Sequence, residues 1–252
     1  MSPPPSTPPP TSTTTSRLNL PSPSTLSPEG PDLALLRLLQ LCSGSLPIGG
    51  FSYSQGLERA VAAGWVRDAA SLGDWLADLA TTNLAAVEIP VLARLHRAAL
   101  AGDGQALAGW CRWLLANRET SELRDEERHR GRALASLLVE LEVPLAKDWR
   151  PTLATCQSAG FALAAAGWDI PLPRAALGLA WSWLENLVLA GVKLIPLGQT
   201  AGQRLLRDLG PVLVEAVQRG LSLSDEELGA SAPALAIASS QHQTQYCRLF
   251  RS

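Results

Sequence analysis

Residues 175–195 read Ala-Ala-Leu-Gly-Leu-Ala-Trp-Ser-Trp-Leu-Glu-Asn-Leu-Val-Leu-Ala-Gly-Val-Lys-Leu-Ile. The run follows Pro173, a residue favoured in the first turn of a helix, and predicts one long helix. A helix that is apolar on nearly all sides belongs in the middle of a bundle. Glu185 and Lys193 interrupt the run, and a membrane span would tolerate these charges poorly. We therefore expect this helix near the centre of a soluble domain.

Helical patterning continues on both sides of this run. Apolar residues recur there at three- and four-residue steps, which is typical of one buried helix face: Leu72, Trp75, Leu76, Leu79, Ala80, Leu84 and Val87. No useful stretch alternates between polar and apolar residues, so strands are not predicted. The predicted helices cover residues 32–40, 52–63, 71–100 with a kink or break at Pro90, 103–117, 120–140, 152–166, 173–195, 200–219 ended by Gly220, and a short helix from 224.

The predicted fold class is all-α, with a single helical-bundle domain of about eight or nine helices over residues 31–252. Residues 1–30 are dominated by Pro, Ser and Thr, with few bulky apolar side chains. Such a segment buries too little surface to offset its ordering entropy, so we predict a disordered N-terminal extension. It lacks the basic start and continuous apolar run of a secretory signal.

Composition excludes several classes of function. The formal net charge is −2 and no run of clustered Lys or Arg occurs, which argues against nucleic acid or an anionic membrane as the main partner. Cys42, Cys111, Cys156 and Cys247 form no C-x-x-C pair, so buried thiols in a reducing compartment are expected. These features predict a soluble cytoplasmic protein.

No motif indicates an enzyme. The chain has no G-x-x-x-x-G-K-[ST] loop, no H-E-x-x-H and no G-x-S-x-G, and its histidines are widely separated. His96 and His129 are expected on helix surfaces. Residues 118–132 hold five acidic and five basic residues, which favours a solvated, salt-bridged face, with Glu126 and Arg130 at the favoured spacing of four. We predict no catalytic site, no metal site and no cofactor.

The turn segment, residues 46–58, reads Leu-Pro-Ile-Gly-Gly-Phe-Ser-Tyr-Ser-Gln-Gly-Leu-Glu. Gly49 and Gly50 permit backbone conformations closed to other residues, and Ser52 or Ser54 can cap a helix that follows. Taken alone, the segment is an ordinary junction between a loop and a helix. Tyr53 places a ring with a polar tip beside this turn.

The tail, residues 240–252, is unusual for a chain end. Arg248 and Arg251 bracket Leu249 and Phe250, and Tyr246 comes just before. Aromatic, apolar and Arg residues together are typical of protein interfaces. The alternative is a tail that packs on its own domain.

Glu185 and Lys193 are predicted to be buried ionisable residues on the central helix. They lie eight residues apart, or roughly 12 Å along the helix, so they cannot pair directly. They either reach an interface or internal salt bridges, or they border a polar, hydrated cavity.

The turn segment, the tail and residues 192–202 (Val-Lys-Leu-Ile-Pro-Leu-Gly-Gln-Thr-Ala-Gly) together resemble the urease accessory protein F (UreF) family, in the expected order and over residues 33–252. The resemblance implies a non-catalytic, all-helical scaffold that forms a homodimer. It also implies binding to the accessory protein UreD (also called UreH) and to the GTPase UreG, and assistance with GTP-dependent nickel insertion into apo-urease. The alternative is a general helical adaptor with no role in metal delivery.

The resemblance also assigns residues. The part of the turn segment that would serve UreG comprises Phe51, Ser52, Tyr53, Ser54, Gln55, Gly56, Leu57 and Glu58. The part of the tail that would order on the partner complex comprises Tyr246, Arg248, Leu249, Phe250, Arg251 and Ser252. Lys193 matches the family's Val-Lys-Leu-(Val/Ile)-Pro-Leu-Gly-Gln segment. Gln241 and Gln243 stand where the family usually carries Arg and Glu, which removes two charges.

Overall fold

The structure is a computed structural model that describes Met1, residues 29–230 and residues 232–252. The predicted disordered extension, residues 1–30, lies largely outside this part of the chain. The described residues form ten helices and no strand, so the all-α prediction is confirmed. The helices are α1 (Pro31–Cys42), α2 (Leu57–Ala62), α3 (Ala69–Leu100), α4 (Gly104–Ala116), α5 (Ser121–Glu140), α6 (Ala146–Leu153), α7 (Gln157–Gly167), α8 (Leu172–Leu194), α9 (Gln199–Ser222) and α10 (Pro233–His242).

The apolar run forms α8, which packs against α1, α2, α3, α7 and α9, as a central helix should. Glycines allow two close approaches along it. A Cβ at Gly178 would lie 2.6 Å from Leu38, and one at Gly191 would lie 2.4 Å from Leu72. Trp181 and Leu189 are exposed, so one side of α8 reaches the surface. Its apolar character is therefore only partly explained by burial within this chain.

Helix α3 passes through Pro90 without ending. Its central part, Ala80–Glu88, is a π-helix, and α-helical geometry resumes at Ile89. Proline cannot donate a hydrogen bond to the carbonyl four residues earlier, which is that of Ala86. The backbone N–H of Gly229 donates to this oxygen instead, at 2.9 Å. The helix starts earlier than predicted, because Asp68 caps it in a reciprocal box with Ser71.

Several other predicted boundaries are wrong. The single helix expected over 152–166 is two helices, α6 and α7, and Pro151 lies inside α6. Helix α9 continues past Gly220, whose missing side chain lets α9 approach α3; a Cβ there would lie 2.7 Å from the Ala85 carbonyl oxygen. Helix α10 was not predicted. The segment from Ser224 forms only a 3₁₀ turn, Asp225–Glu227.

Two helices, α3 and α8, are long and apolar enough to cross a membrane by length and composition. Most of the apolar window of each is buried in the bundle (67% and 56%), so their apolar character is used in packing. The four cysteines are free thiols. Cys111 and Cys156 are buried as predicted, whereas Cys247 is exposed.

Candidate functional site

The turn segment folds as a 3₁₀ turn, Gly50–Ser52, followed by α2, rather than as the continuous helix predicted over 52–63. Gly49 and Gly56 adopt left-handed backbone angles, with φ of 70° and 79°, whereas Gly50 does not. The Ser54 hydroxyl accepts the backbone N–H of Glu58, so it supports the first turn of α2. A Cβ at Gly56 would lie 3.0 Å from the backbone nitrogen of Ser239 in α10.

The tail lies directly on the turn segment of its own domain. The N–H of Arg251 donates to the Ser52 carbonyl at 2.8 Å, and the N–H of Ser54 donates to the Ser252 carbonyl at 2.7 Å. The Ser54 hydroxyl donates to the same Ser252 oxygen. Phe250 and Ser252 are buried by this contact. Two segments almost 200 residues apart in sequence therefore form one structural unit.

Glu58 is the central acceptor of this unit. Its carboxylate is buried and accepts the backbone N–H groups of Leu249 at 2.6 Å and Phe250 at 2.9 Å. The Nε2 atom of His242 lies 3.0 Å from Glu58 Oε2. Successive backbone N–H groups make a favourable site for an anion, and here the anion is a side chain of the same protein.

The other side of His242 faces α5. Its Nδ1 atom lies 2.7 Å from Glu122 Oε2, and Arg248 donates to Glu122 Oε1 at 2.6 Å. The tail is thus attached to α2 through Glu58 and to α5 through Glu122. We call Ser52–Glu58, Glu122, Glu126, His242 and residues 248–252 the tail junction.

The segment 192–202, the third that resembles the family, also reaches the tail junction. Lys193 is exposed, not buried as predicted, and its Nζ lies 5.7 Å from the centre of the Phe250 ring, within the range of a cation–π contact. The amide of Asn186 donates to the Tyr53 carbonyl at 3.1 Å, and the Trp183 indole N–H donates to Gln55 Oε1 at 3.1 Å. The C-terminal half of α8 therefore supports the junction.

The charged stretch 118–132 is only in part the solvated, salt-bridged face that was predicted: Arg128 and Asp125 form an exposed pair, whereas Glu126 and Glu127 are buried. Glu126 is buried and accepts from Arg130 at 2.9 Å, which confirms the predicted pair, as well as from Gln55 and Ser252. Glu127 is also buried and binds Arg118 at 2.7 Å. The charge pattern of the sequence did not indicate that Glu126 and Glu127 are buried. The alternation of sign along one helix is the same for a solvated face and for a buried network.

Arg118 joins three helices. Its guanidinium binds Glu88 of α3 and Glu127 of α5, and Glu127 in turn accepts the N–H of Ser158 at the start of α7. Burial by itself would lower the pKa of Arg118, but the two carboxylates outweigh burial and raise the pKa well above its ordinary value. Burial would likewise raise the pKa of Glu127, yet the Arg118 charge holds it low.

The residues assigned to partner binding divide into three groups by their exposure. One group is exposed: Phe51, Tyr246, Arg248, Leu249 and Arg251. Ser52 and Gln55 are half-buried. The others are buried within the junction: Tyr53, Ser54, Gly56, Leu57, Glu58, Phe250 and Ser252. An open groove of about 510 Å³ runs between the tail and α5, and the Tyr53 hydroxyl bonds His129 Nδ1 at its wall.

The two departures in the tail have partners in this chain. Gln241 Oε1 accepts from Arg59 Nε at 2.9 Å, and Gln243 Nε2 donates to the Ser121 hydroxyl at 3.0 Å. An arginine at position 241 would bring two positive charges together at Arg59. The glutamine there is therefore compatible with this chain's own α2.

A cavity of about 130 Å³ lies beside the junction. Glu185 borders it and Lys193 does not. Partial burial raises the pKa of Glu185, so this carboxyl holds its proton more readily than a solvated one. The other charged residues of the wall are Glu88, Arg118, Glu119, Glu126, Glu127 and Arg130, and all of them except Glu119 take part in the ion pairs described above.

Histidine placement was predicted in part. His129 is exposed as expected, whereas His96 is buried in α3, and burial lowers its pKa. Sequence reasoning gave no role to His242 or Glu122, and it gave Glu126 only the pair with Arg130, not a contact with the tail. The usable signal for His242 was its position in the tail, next to residues that had already been singled out. In the part of the chain that the structure describes, no three His, Cys, Asp or Glu residues are grouped to hold a metal ion.

Comparison with known proteins gives a consistent result. The sequence model of the UreF family matches residues 66–210. A urease accessory protein UreF of Pseudomonas putida (strain W619) is 57% identical over 221 residues, covering 88% of this chain and 99% of that protein. Proteins with the same name from Alkalilimnicola ehrlichii and Alcanivorax borkumensis are 52% and 50% identical, covering 88% and 87% of this chain and 97% and 98% of theirs.

Proposed function

Since this chain belongs to the UreF family of urease accessory proteins, we propose that it is a non-catalytic scaffold that binds a UreD/UreH-type accessory protein and a UreG-type GTPase. In this proposal the complex acts as a chaperone that assists GTP-dependent nickel insertion into apo-urease. The observation that carries the proposal is the tail junction. Three segments far apart in sequence meet there and present exposed aromatic, apolar and Arg side chains together.

The division between exposed and buried residues suggests how the partners bind. We assign the UreD-type contact to Tyr246, Arg248, Leu249 and Arg251, because these tail side chains are exposed on a backbone that Glu58 and Ser54 hold in place. We assign the UreG-type contact to Phe51 and the rim of the turn segment. Tyr53, Glu58, Phe250 and Ser252 then act by positioning these surfaces. The tail is held on its own domain, so binding would not need to order it.

The remaining features of the proposal follow from the family. We infer a homodimer and a cytoplasmic location, and the free thiols suit a reducing compartment. We propose no cofactor and no catalytic residue. Nickel is cargo in this scheme, and apo-urease is its destination.

Glu185 is our candidate for a residue on the nickel route. It borders the cavity, has no ion-pair partner among the described residues, and offers oxygen donors, which hold divalent nickel less tightly than a closed thiolate or imidazole site. Lys193 is reassigned from this route to the tail junction. We expect Glu185→Ala to lower urease activation while complex assembly and thermal stability stay unchanged. Normal activation by this variant would remove Glu185 from the route.

The proposal is tested by co-purification with candidate UreD and UreG proteins, followed by metal analysis of the urease produced. We expect a complex of all three proteins, and nickel-poor urease when this chain is missing. The alternative is a general helical adaptor. Deletion of the gene with urease fully active and normal in nickel content would favour the adaptor and contradict the proposal.

A further inference from the structure

Gln55 has an unusual backbone angle for its residue type. Its φ is 52°, in the left-handed region that favours glycine and, among other residues, asparagine. The next residue, Gly56, is also left-handed, with φ of 79°. Left-handed residues other than glycine are strained, and such strain persists where the surrounding structure requires that particular residue. Here the requirement lies in the side chain of Gln55.

The side-chain amide of Gln55 bridges two helices. Its Nε2 atom donates to Glu126 Oε1 of α5 at 3.0 Å, and its Oε1 atom accepts the indole N–H of Trp183 of α8 at 3.1 Å. An indole N–H can only donate and a carboxylate can only accept, so one orientation of the amide satisfies both. An ionised glutamate could not donate to Glu126, and asparagine is one methylene too short to span both contacts. Glutamine therefore fits this bridge in both length and chemistry.

Both ends of the bridge are fixed by other contacts. Glu126 is buried and also accepts from Arg130 of the same helix at 2.9 Å. Trp183 packs against Leu79 of α3 and Leu235 of α10. The bridging amide is therefore held between two ordered groups, and it ties the backbone of the turn segment to the bundle.

We propose that Gln55 is a positioning residue rather than a partner contact: its amide holds the turn segment, and with it the exposed ring of Phe51, against α5 and α8. The bridge involves no residue of the tail, so it acts whether or not the tail is docked. Release of the tail would break its contacts with Ser52 and Ser54 but would leave the bridge in place. The inference rests on the proposed function for the partner that Phe51 meets, a UreG-type GTPase.

The test substitutes asparagine at two positions with nearly the same backbone angle. Gln55→Asn keeps a residue that tolerates the left-handed angle, but its shorter side chain breaks the bridge. Glu142→Asn is the matched control, because Glu142 has φ of 54° and an exposed side chain. An effect that is specific to Gln55→Asn therefore comes from the lost bridge and not from the backbone.

Hydrogen exchange in the purified full-length chain measures the bridge and the turn separately. The indole N–H of Trp183 reports the bridge, and the backbone N–H groups of Ser52 and Tyr53, which close the 3₁₀ turn, report the turn segment. In Gln55→Asn we expect the protection of all three to fall roughly fivefold or more, as for the loss of one hydrogen bond. The control should not change.

Two results of the exchange measurement would overturn the inference. One is protection of Ser52 and Tyr53 that survives loss of the Trp183 contact. The other is an unprotected Trp183 indole in the unaltered chain. Gln55→Met has the same length without the amide, and it gives the same readings if the asparagine variant does not fold.

A partner assay separates the bridge from the proposed function. It measures capture of a UreG-type GTPase by the complex of this chain with a UreD-type protein. We expect Gln55→Asn to weaken GTPase capture roughly fivefold, while capture of the UreD-type protein and the melting temperature stay close to those of the Glu142→Asn control. A residue that only stabilised the fold would lower all three together. A turn loosened in the exchange measurement with unchanged GTPase capture would contradict the assignment of Phe51 to the GTPase, not the bridge.

Discussion

At the scale of single residues, the tail junction depends on two positions, Gly56 and Glu58, where backbone angle, space or hydrogen bonding restricts the choice of residue. Gly56 combines a left-handed backbone angle with close contact to α10. Glu58 combines burial with two N–H donors from the tail and a ring nitrogen of His242 at hydrogen-bond distance. A buried carboxylate without its donors is costly, so the tail and α2 stabilise each other.

The contact of Gly56 with α10 can be separated from its backbone angle. Gly64 has nearly the same φ (75°) but nothing within 4 Å of its Cβ position, whereas Gly56 faces the Ser239 nitrogen at 3.0 Å. We expect Gly64→Ala to lower the free energy of unfolding by about 1 kcal/mol and Gly56→Ala by roughly 2–4 kcal/mol, since a clash is added to the backbone strain. Chemical denaturation measures both. Equal losses of unfolding free energy in the two variants would mean that α10 shifts to accommodate the added Cβ at little cost.

The two faces of the tail should respond differently to substitution. Phe250→Ala removes a buried ring and should lower the free energy of unfolding by roughly 2–4 kcal/mol. Tyr246→Ala changes an exposed side chain and should alter it by less than about 0.5 kcal/mol, yet reduce capture of the UreD-type partner. Thermal denaturation and a pull-down compare the variants. Full partner capture by Tyr246→Ala would place the contact elsewhere.

At the scale of elements, the crossing of α9 and α3 shows how one missing side chain sets a helix packing distance. Gly220 faces the Ala85 carbonyl, in the π-helical part of α3, and Ile89, where α-helical geometry resumes. In the same part of α3, the Ala86 carbonyl cannot accept a hydrogen bond from Pro90, and it accepts the backbone N–H of Gly229 instead. The irregular stretch of α3 is therefore stabilised by the chain that follows α9.

The helix crossing gives a prediction with a control in the same helix. Gly220→Ala should lower the melting temperature, since its Cβ would lie 2.7 Å from the Ala85 carbonyl oxygen; we expect a loss of about 1–3 kcal/mol. Gly210→Ala adds a Cβ that meets nothing within 4 Å apart from its chain neighbours; because Pro211 disfavours helical backbone at the residue before it, the gain in helix propensity is opposed, and stability should change by less than about 1 kcal/mol. Calorimetry on the two variants gives the signs. If the Gly220→Ala variant were more stable than the unaltered chain, α9 and α3 would be able to move apart at little cost.

At the scale of the whole molecule, a buried ion network links α3, α5 and α7 beside the cavity. Arg118 supplies the positive charge and Glu88 and Glu127 the negative ones, with a net charge of −1 for the three. Arg130, whose charge also acts on Glu127, binds Glu126 at 2.9 Å, and Glu126 accepts a hydrogen bond from the Ser252 hydroxyl. The cavity wall and the tail junction are therefore parts of one connected polar system inside an apolar bundle.

Removal of the central cation tests this system. Arg118→Leu leaves Glu88 and Glu127 buried without a counter-charge and should cost about 3–5 kcal/mol of unfolding free energy. Arg128→Leu breaks only the exposed pair with Asp125 and should cost less than about 1 kcal/mol. Denaturant titrations give both values. A small loss for Arg118→Leu would mean that water reaches these carboxylates.

The same network predicts a pH effect. Because Arg118 holds the folded pKa of Glu127 low, this contribution is present above the ordinary carboxyl range and is lost as the pH falls through the folded pKa. The stability difference between the unaltered chain and Arg118→Leu should therefore shrink on acidification. Unfolding free energies measured at neutral and acidic pH check the sign. A difference that grows on acidification would contradict it.

The sequence by itself determined the all-α class, the long helix that was predicted over 173–195 and lies at 172–194, and the helix starts near 103 and 120. These features depend on periodicity and on contacts within a few residues, which are written locally in the chain. It also singled out the turn segment and the tail, through the resemblance to a family. It missed the short, largely apolar α10, which has no clear polar face to show its periodicity.

Only the tertiary structure decided that the tail lies on the turn segment, that Glu58 and Glu126 are buried, and that Lys193 is exposed beside Phe250. Residues 54 and 252 meet because the helices between them pack in one particular arrangement, and no local pattern encodes that distance. Burial of a charge depends on whether a distant donor arrives, as Leu249 and Phe250 do for Glu58. The sequence shows which groups can ionise, whereas the fold decides which of them are shielded from water and which partners they find.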